Sequence, residues 1–226
     1  MPNDIAHVYH NWAPAYDREA KWNPAIRMEQ GVIIPFLNPR KPDKILEVGC
    51  GTGRLTIPIS RKCKAIVGLD SSERMLDIAR KKSAGYKNIR YMQSDAEKRL
   101  PFDDTLFDKV VCPLVMNHIK DIQKFFNEVH RILASDGVMV FDDPNPDSKI
   151  LHVAHKSLLD KYYDLGKRLF YLHSLDDYVH ALHRSGFEIE RIKFFRFDDR
   201  IRDAYTPETF RENEGHTFGS MFKASK

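Results

Sequence analysis

Short runs of branched apolar residues alternate with longer stretches of helical periodicity along most of this chain. Ile45, Leu46 and Val48 form one such run, and Lys64 to Asp70, Asn88 to Asp95, the stretch ending at Cys112, and Gly137 to Asp142 form four more. Runs this short and this rich in β-branched residues are the mark of strands buried on both faces of a parallel sheet. Between them, Ile122, Phe125, Phe126, Val129, Ile132 and Leu133 recur at helical spacing and stop before Ser135-Asp136-Gly137. Ser174 caps a further helix that ends at Gly186, and a strand is predicted from Phe187 to Phe197. Residues 198–213 are a polar excursion, after which His216 to Ala224 alternates like a strand able to return antiparallel. The pattern predicts a doubly wound α/β sheet of seven strands, six parallel and the last antiparallel.

Residues 4–36 carry no clear strand. Val8, Trp12 and Tyr16, then Ile26, Ile33, Ile34 and Phe36, fall at roughly helical intervals and predict two short helices interrupted by Pro14 and Pro24. In the helix expected from about Gly53, Pro58 lies too deep to be a first-turn proline and predicts a bend. Residues 148–172 read as a second helical addition, rich in Tyr162, Tyr163, Phe170 and Tyr171.

Composition narrows the classes. The 226 residues, 42% hydrophobic and 30% charged, suffice for one full core, and a net charge of +4 demands no polyanionic partner. The clusters Arg61-Lys62-x-Lys64 and Arg80-Lys81-Lys82 stand at helix ends, where cations oppose the helix dipole. Three cysteines, at 50, 63 and 112, have no zinc or disulfide spacing, and His152, His155 and His173 have no ligand pattern, so no metal is expected. Reduced cysteines, no signal pattern at the N-terminus and no membrane-length apolar run predict a soluble cytoplasmic protein.

The candidate chemistry begins where the first strand ends, in Glu47-x-Gly49-x-Gly51-x-Gly53. Glycines there let the chain turn through positive φ and let a ligand lie on the backbone at the start of the next helix. A dinucleotide fingerprint starting at Gly49 would need a third glycine or alanine at 54, which is Arg54. Acidic Glu47 would repel a pyrophosphate and suits a cationic ligand instead. Asp70 closes the second strand about 20 residues beyond the loop, the distance of a ribose-binding acid, and its two oxygens can accept both ribose hydroxyls. The alternatives are a purely structural glycine turn, and an Asp70 that only opens the next helix with Ser71 and Ser72.

This run resembles the first motif of class I S-adenosylmethionine (SAM)-dependent methyltransferases, and Tyr9 to Asp17 resembles the opening of their small-molecule, ubiquinone-biosynthesis-like members. The resemblance is strongest over 44–142. It implies a strand order of 3-2-1-4-5-7-6, SAM as cofactor with S-adenosylhomocysteine as product, and a small-molecule acceptor. It places Tyr16, Glu47, Gly49, Gly51, Gly53, Asp70 and Ser71 at the cofactor, Met75 on a face of adenine, and Asp95 with Ala96 at the adenine edge. Cys112 to His118, Cys112 and Pro113 among them, should border the reacting methyl group, because ligands bind beyond the carboxyl ends of such strands. His118 is either a general base for a hydroxyl acceptor or a partner of the backbone. The implied organisation is a single domain over 1–226: an N-terminal helical lid at 1–40, a cofactor-binding half at 41–142, a helical insertion at 143–173 and a C-terminal substrate half at 174–226.

The rivals are a nicotinamide-dependent oxidoreductase, disfavoured by Arg54 and the lack of a Tyr-x-x-x-Lys relay, a non-catalytic SAM-fold binding module, and a nucleic-acid or protein methyltransferase. Asn145-Pro146 does not follow the fourth strand, as the amino-group DNA and RNA enzymes require. Acids and bases are mixed in both helical additions, which favours a lid over a phosphate track. The acceptor atom and the oligomeric state stay open.

Overall fold

A computed structural model describes residues 5–21, 23–144, 171 and 173–226. Three helices come first, α1 (Ile5–Ala20), α2 (Pro24–Glu29) and α3 (Ile33–Leu37). They are followed by β1 (Lys44–Val48), α4 (Thr56–Ser60), β2 (Ala65–Asp70), α5 (Glu73–Lys82), β3 (Ile89–Gln93) and β4 (Phe107–Pro113). The chain continues through α6 (Ile122–Ile132), β5 (Leu133–Pro144), α7 (Leu175–Arg184), β6 (Glu188–Arg196), α8 (Pro207–Asn213) and β7 (Thr217–Ser225). The sheet order is β3-β2-β1-β4-β5-β7-β6. β1 to β5 pair in parallel, while β7 runs antiparallel between β5 and β6. Seven strands in this order are what the hydrophobic pattern and the family resemblance predicted.

Strand periodicity of two divides the core between the faces of the sheet. Leu46, Val48, Val110, Cys112, Phe141 and Phe222 pack with Phe125, Phe126 and Val129 of α6. Their neighbours Ile45, Val111, Val140 and Met221 face the other way, onto Ile33, Leu37 and Ile59. Phe141 and Phe222 are partners in the β5–β7 register, and their rings stack at 4.7 Å.

Three local expectations are corrected. α1 runs unbroken through Pro14, since burial of Val8, Ala13 and Ala20 holds the helix on both sides of the missing amide. α4 starts only at Thr56, so Pro58 sits in its first turn; bonds from Ile57 N to Gly53 O and from Ile59 N to Leu55 O bracket it. The polar stretch 198–213 contains a 3₁₀ turn at Asp199–Ala204 and α8, anchored by the buried Ile201 and Phe210 beneath Phe197. The helical addition expected at 148–172 lies outside the described residues, apart from Tyr171.

α6 supplies one wall of the larger core. Phe126 is fully buried with its ring 5.3 Å from Phe141 and 6.4 Å from Phe187. Phe126→Ala is expected to cost roughly 3 to 5 kcal/mol. Urea denaturation should show a lower midpoint at an unchanged slope.

Candidate functional site

A cavity of about 510 Å³ opens at the carboxyl ends of the strands, between the sheet and the N-terminal helices. Its wall is contributed in sheet order. Asp95 and Ala96 follow β3, Asp70 and Ser71 end β2, and Glu47 to Gly51 leave β1. Pro113 to His118 follow β4, Pro144 ends β5 and Phe218 lies on β7, while Tyr9, Trp12 and Tyr16 descend from α1.

The glycine loop is built backbone first. Gly49 N and Cys50 N both donate to Leu69 O, at 2.7 and 3.0 Å, so the loop hangs from the end of β2. Gly49 has φ +70°, and a Cβ there would lie 2.1 Å from Val115 Cγ2. Gly51 has φ +52° with open space where its Cβ would point, and it lines the cavity. Asp70 Oδ2 accepts from Gly51 N at 2.8 Å, and Oδ1 accepts from Ser72 N at 2.9 Å. One carboxylate therefore fixes both the loop and the start of α5. Burial pushes the Asp70 carboxyl up, against the backbone donors that hold it down.

Glu47 is buried beneath the loop and accepts from Thr56 Oγ1 at 2.5 Å. Burial raises its pKa from 4.5 to about 8, so near neutral pH it is largely uncharged until a cation approaches. Met75 is buried where it meets the cavity, and Asp95, half-buried at the rim, accepts from Glu97 N and pairs with Lys98.

Two expected site residues stand behind the wall. Cys112 is fully buried on the α6 face, its Sγ 3.8 Å from Met116 Sδ, because strand alternation turns it away from the cavity. Gly53 faces β3, where a Cβ would come within 2.8 Å of Tyr91 Oη. Tyr16, Glu47, Gly49, Gly51, Asp70, Ser71, Met75, Asp95, Ala96, Pro113 and His118 are together on the wall.

Several groups that sequence patterns did not single out complete it. Arg54 lines the cavity and forms an ion pair with Glu29 of α2, which is wholly buried. Glu29 also shares a hydrogen bond with Asp142 at the end of β5. Burial and the nearby Glu29 carboxylate push Asp142 well above the usual carboxylate range. Asp142 Oδ1 in turn accepts from Leu114 N, a non-glycine residue at φ +52°. α1 is latched separately, since Thr52 Oγ1 of the loop and Lys82 Nζ donate to Asp17 at 2.5 and 2.8 Å. Tyr9 Oη lies 3.0 Å from His118 Nε2, with the two rings nearly perpendicular at 80°. A lone arginine after the glycines and a lone acid on the buried side of α2 were the only signals for Arg54 and Glu29.

Among the described residues no cluster of His, Cys, Asp and Glu could hold a metal, and no helix is long and apolar enough to cross a membrane.

Residues 46–141 match the methyltransferase domain family. A demethylmenaquinone methyltransferase of Staphylococcus epidermidis is 34% identical over 141 residues, covering 59% of this chain and 57% of that one. The chain spans about half the length of the curated relatives it matches. The fold is that of a SAM-dependent methyltransferase from Mesorhizobium loti, with a TM-score of 0.71 at 22% identity over 88% of this chain and 98% of that one. It is equally that of the [4+2]-cyclase SpnF, with a TM-score of 0.74 at 16% identity over 98% and 94%.

The buried Glu47 makes stability depend on pH. Its folded pKa is raised, so the folded state holds the proton more tightly, and stability is lost as pH rises from about 5 to about 8. Relative to Glu47→Gln, which cannot titrate, the ligand-free protein is expected to lose roughly 1.4 kcal/mol per pH unit across that window. Paired urea melts at pH 5, 6.5 and 8 measure this, and a constant difference between the two proteins would contradict it.

Proposed function

We propose that the class I SAM-dependent methyltransferase domain of this chain transfers the methyl group of SAM to a nucleophile on a small molecule enclosed in the cavity. The observation that carries this reading is the convergence of the glycine loop, Asp70 and Asp95 on one wall, each at the end of a neighbouring strand.

The residues fit the cofactor group by group. Asp70 lines the cavity and accepts from backbone amides through both oxygens, with acceptor capacity left over for the ribose. Gly51, with open space at its Cα, lets the ligand lie on the backbone. Glu47 regains its charge beside the ligand's ammonium group, an attraction made large by burial. Met75 offers an apolar face to adenine, with Asp95 to accept from its amine, and Tyr16 covers the cofactor from α1.

When bound, the cofactor supplies a methyl carbon already activated by its sulfonium. The protein then has to align nucleophile, methyl and sulfur and to exclude water. Pro113 and the residues after it border the methyl, and His118 takes a proton from an acceptor that enters protonated. The aromatic α1 wall supports a small acceptor over an open polynucleotide track. The buried free cysteines support a reducing compartment, the cytoplasm.

Asp70→Ala should weaken S-adenosylhomocysteine binding roughly tenfold to hundredfold, since a hydrogen bond to a charged group is worth about 1.5 to 3 kcal/mol. Unchanged affinity in a folded variant would remove Asp70 from the ribose site. Transfer of tritiated methyl from SAM into a cell extract, fractionated into small molecules, protein, RNA and DNA, tests the reaction. Label is expected in the small-molecule fraction, and label confined to RNA, DNA or protein would contradict the acceptor class.

A further inference from the structure

Asp95, Asp70 and Glu47 stand at the ends of β3, β2 and β1, three neighbouring strands. Neighbouring strands lie about 4.8 Å apart, so a ligand with its adenine at Asp95 and its ribose at Asp70 brings its remaining part, the amino-acid end, to β1. In the proposed reading Glu47 takes the ammonium there. The same amino acid also carries a carboxylate, and it arrives among acids, since the charges of Glu29 and Asp70 are both felt at Glu47. Like charges at such range repel strongly in a buried site, so the carboxylate needs a fixed cation beside Glu47.

Arg54 supplies that cation. It lines the cavity together with Glu47 and Gly51. Burial raises the Glu47 pKa and the Arg54 charge opposes that rise, as expected of near neighbours. Glu29 pairs with Arg54 Nη2 and is wholly buried, whereas the Arg54 side chain keeps 27% of its surface exposed. The guanidinium is therefore backed by Glu29 and reachable from the cavity. It has five N–H donors, of which a bidentate carboxylate engages two, so an arginine held by one carboxylate can receive a second. Its charge also persists at every working pH. Lys98, the other lysine or arginine among the described residues of the wall, pairs with Asp95 at the adenine end.

We propose that Arg54 determines specificity at the amino-acid end of the cofactor: its guanidinium binds the α-carboxylate while Glu47 holds the α-ammonium, and Glu29 fixes the guanidinium from behind. Glu29 is then a positioning residue, and the Arg54–Glu29 pair does more than dock α2 on the loop. The two ends of the zwitterion meet two side chains of opposite charge, seven residues apart on either side of the glycine loop. The site takes an adenosyl sulfur compound that carries a complete amino acid and discriminates against one that lacks the carboxylate.

This inference rests on the proposed methyltransferase reading and deepens it, and the test separates the two. Calorimetric affinities are measured for three ligands: S-adenosylhomocysteine, its decarboxylated analogue, which keeps the ammonium, and 5′-methylthioadenosine, which lacks the amino acid altogether. The wild type should bind S-adenosylhomocysteine about tenfold to hundredfold more tightly than the decarboxylated analogue. Arg54→Met should lose that preference, while its affinity for 5′-methylthioadenosine stays within about twofold of wild type. Arg54→Met leaves Glu29 buried without its cation, so Glu29→Gln/Arg54→Met is measured beside it, and thermal melts identify the folded variant. A merely structural ion pair would weaken all three ligands alike. That result, a folded variant that keeps the preference, or a wild type that binds the first two ligands equally would overturn the role of Arg54 and leave the adenosyl site standing. A wild type that binds none of the three would overturn both.

Discussion

The site depends on one carboxylate. Asp70 accepts from Gly51 N through one oxygen and from Ser72 N through the other. It thereby ties together two turns that belong to different strand-helix units. Without it, Gly51 N, in a loop whose glycines sit at positive φ, would lose its partner, and so would Ser72 N, the amide of the residue that caps α5. The same side chain lines the cavity, so the group that shapes the loop is also the one proposed to bind the ribose. This double duty explains why burial raises its pKa only against opposing donors.

The N-terminal helices close the cavity by reaching for the same loop. Asp17 of α1 accepts from Thr52, and Glu29 of α2 pairs with Arg54, so both contacts land within three residues of Gly51. Glu29 then meets Asp142, which also accepts from Leu114 N at the turn after β4. Polar contacts thus run from the N-terminal helices through the loop to the turn after β4. The Glu29–Arg54 ion pair and the Asp17 contacts hold α2 and α1 against the loop.

Much of this was legible in the chain. The strands were visible because each is a short branched run, and Glu47, the glycines and Asp70 were visible because their chemistry is tied to fixed offsets from those runs. What escaped notice depends on partners distant in sequence. Arg54 first appeared only as the residue that spoils a dinucleotide fingerprint, and its meaning lies in Glu29, brought in by a separate helix. Cys112 was expected at the site, although it shares a face with Val110 and therefore points into the core. Local rules predict an interruption at Pro14 and a bend at Pro58, which tertiary burial overrides in α1 and a later helix start overrides in α4. Ile201 and Phe210 are single anchors in a polar stretch, too sparse for any periodicity to show. Strand order came from family resemblance, because no local pattern specifies which strands become neighbours.

In the proposed reading, the loop, Glu47 and Asp70 form a site for a cationic adenosyl ligand and not for a dinucleotide. Calorimetric titration of the wild-type protein with S-adenosylmethionine and, separately, with NAD tests it most directly. Saturable one-to-one binding of S-adenosylmethionine is predicted, with proton release as Glu47 ionises beside the ammonium group and no detectable heat from NAD. Binding of NAD in place of S-adenosylmethionine would contradict the account.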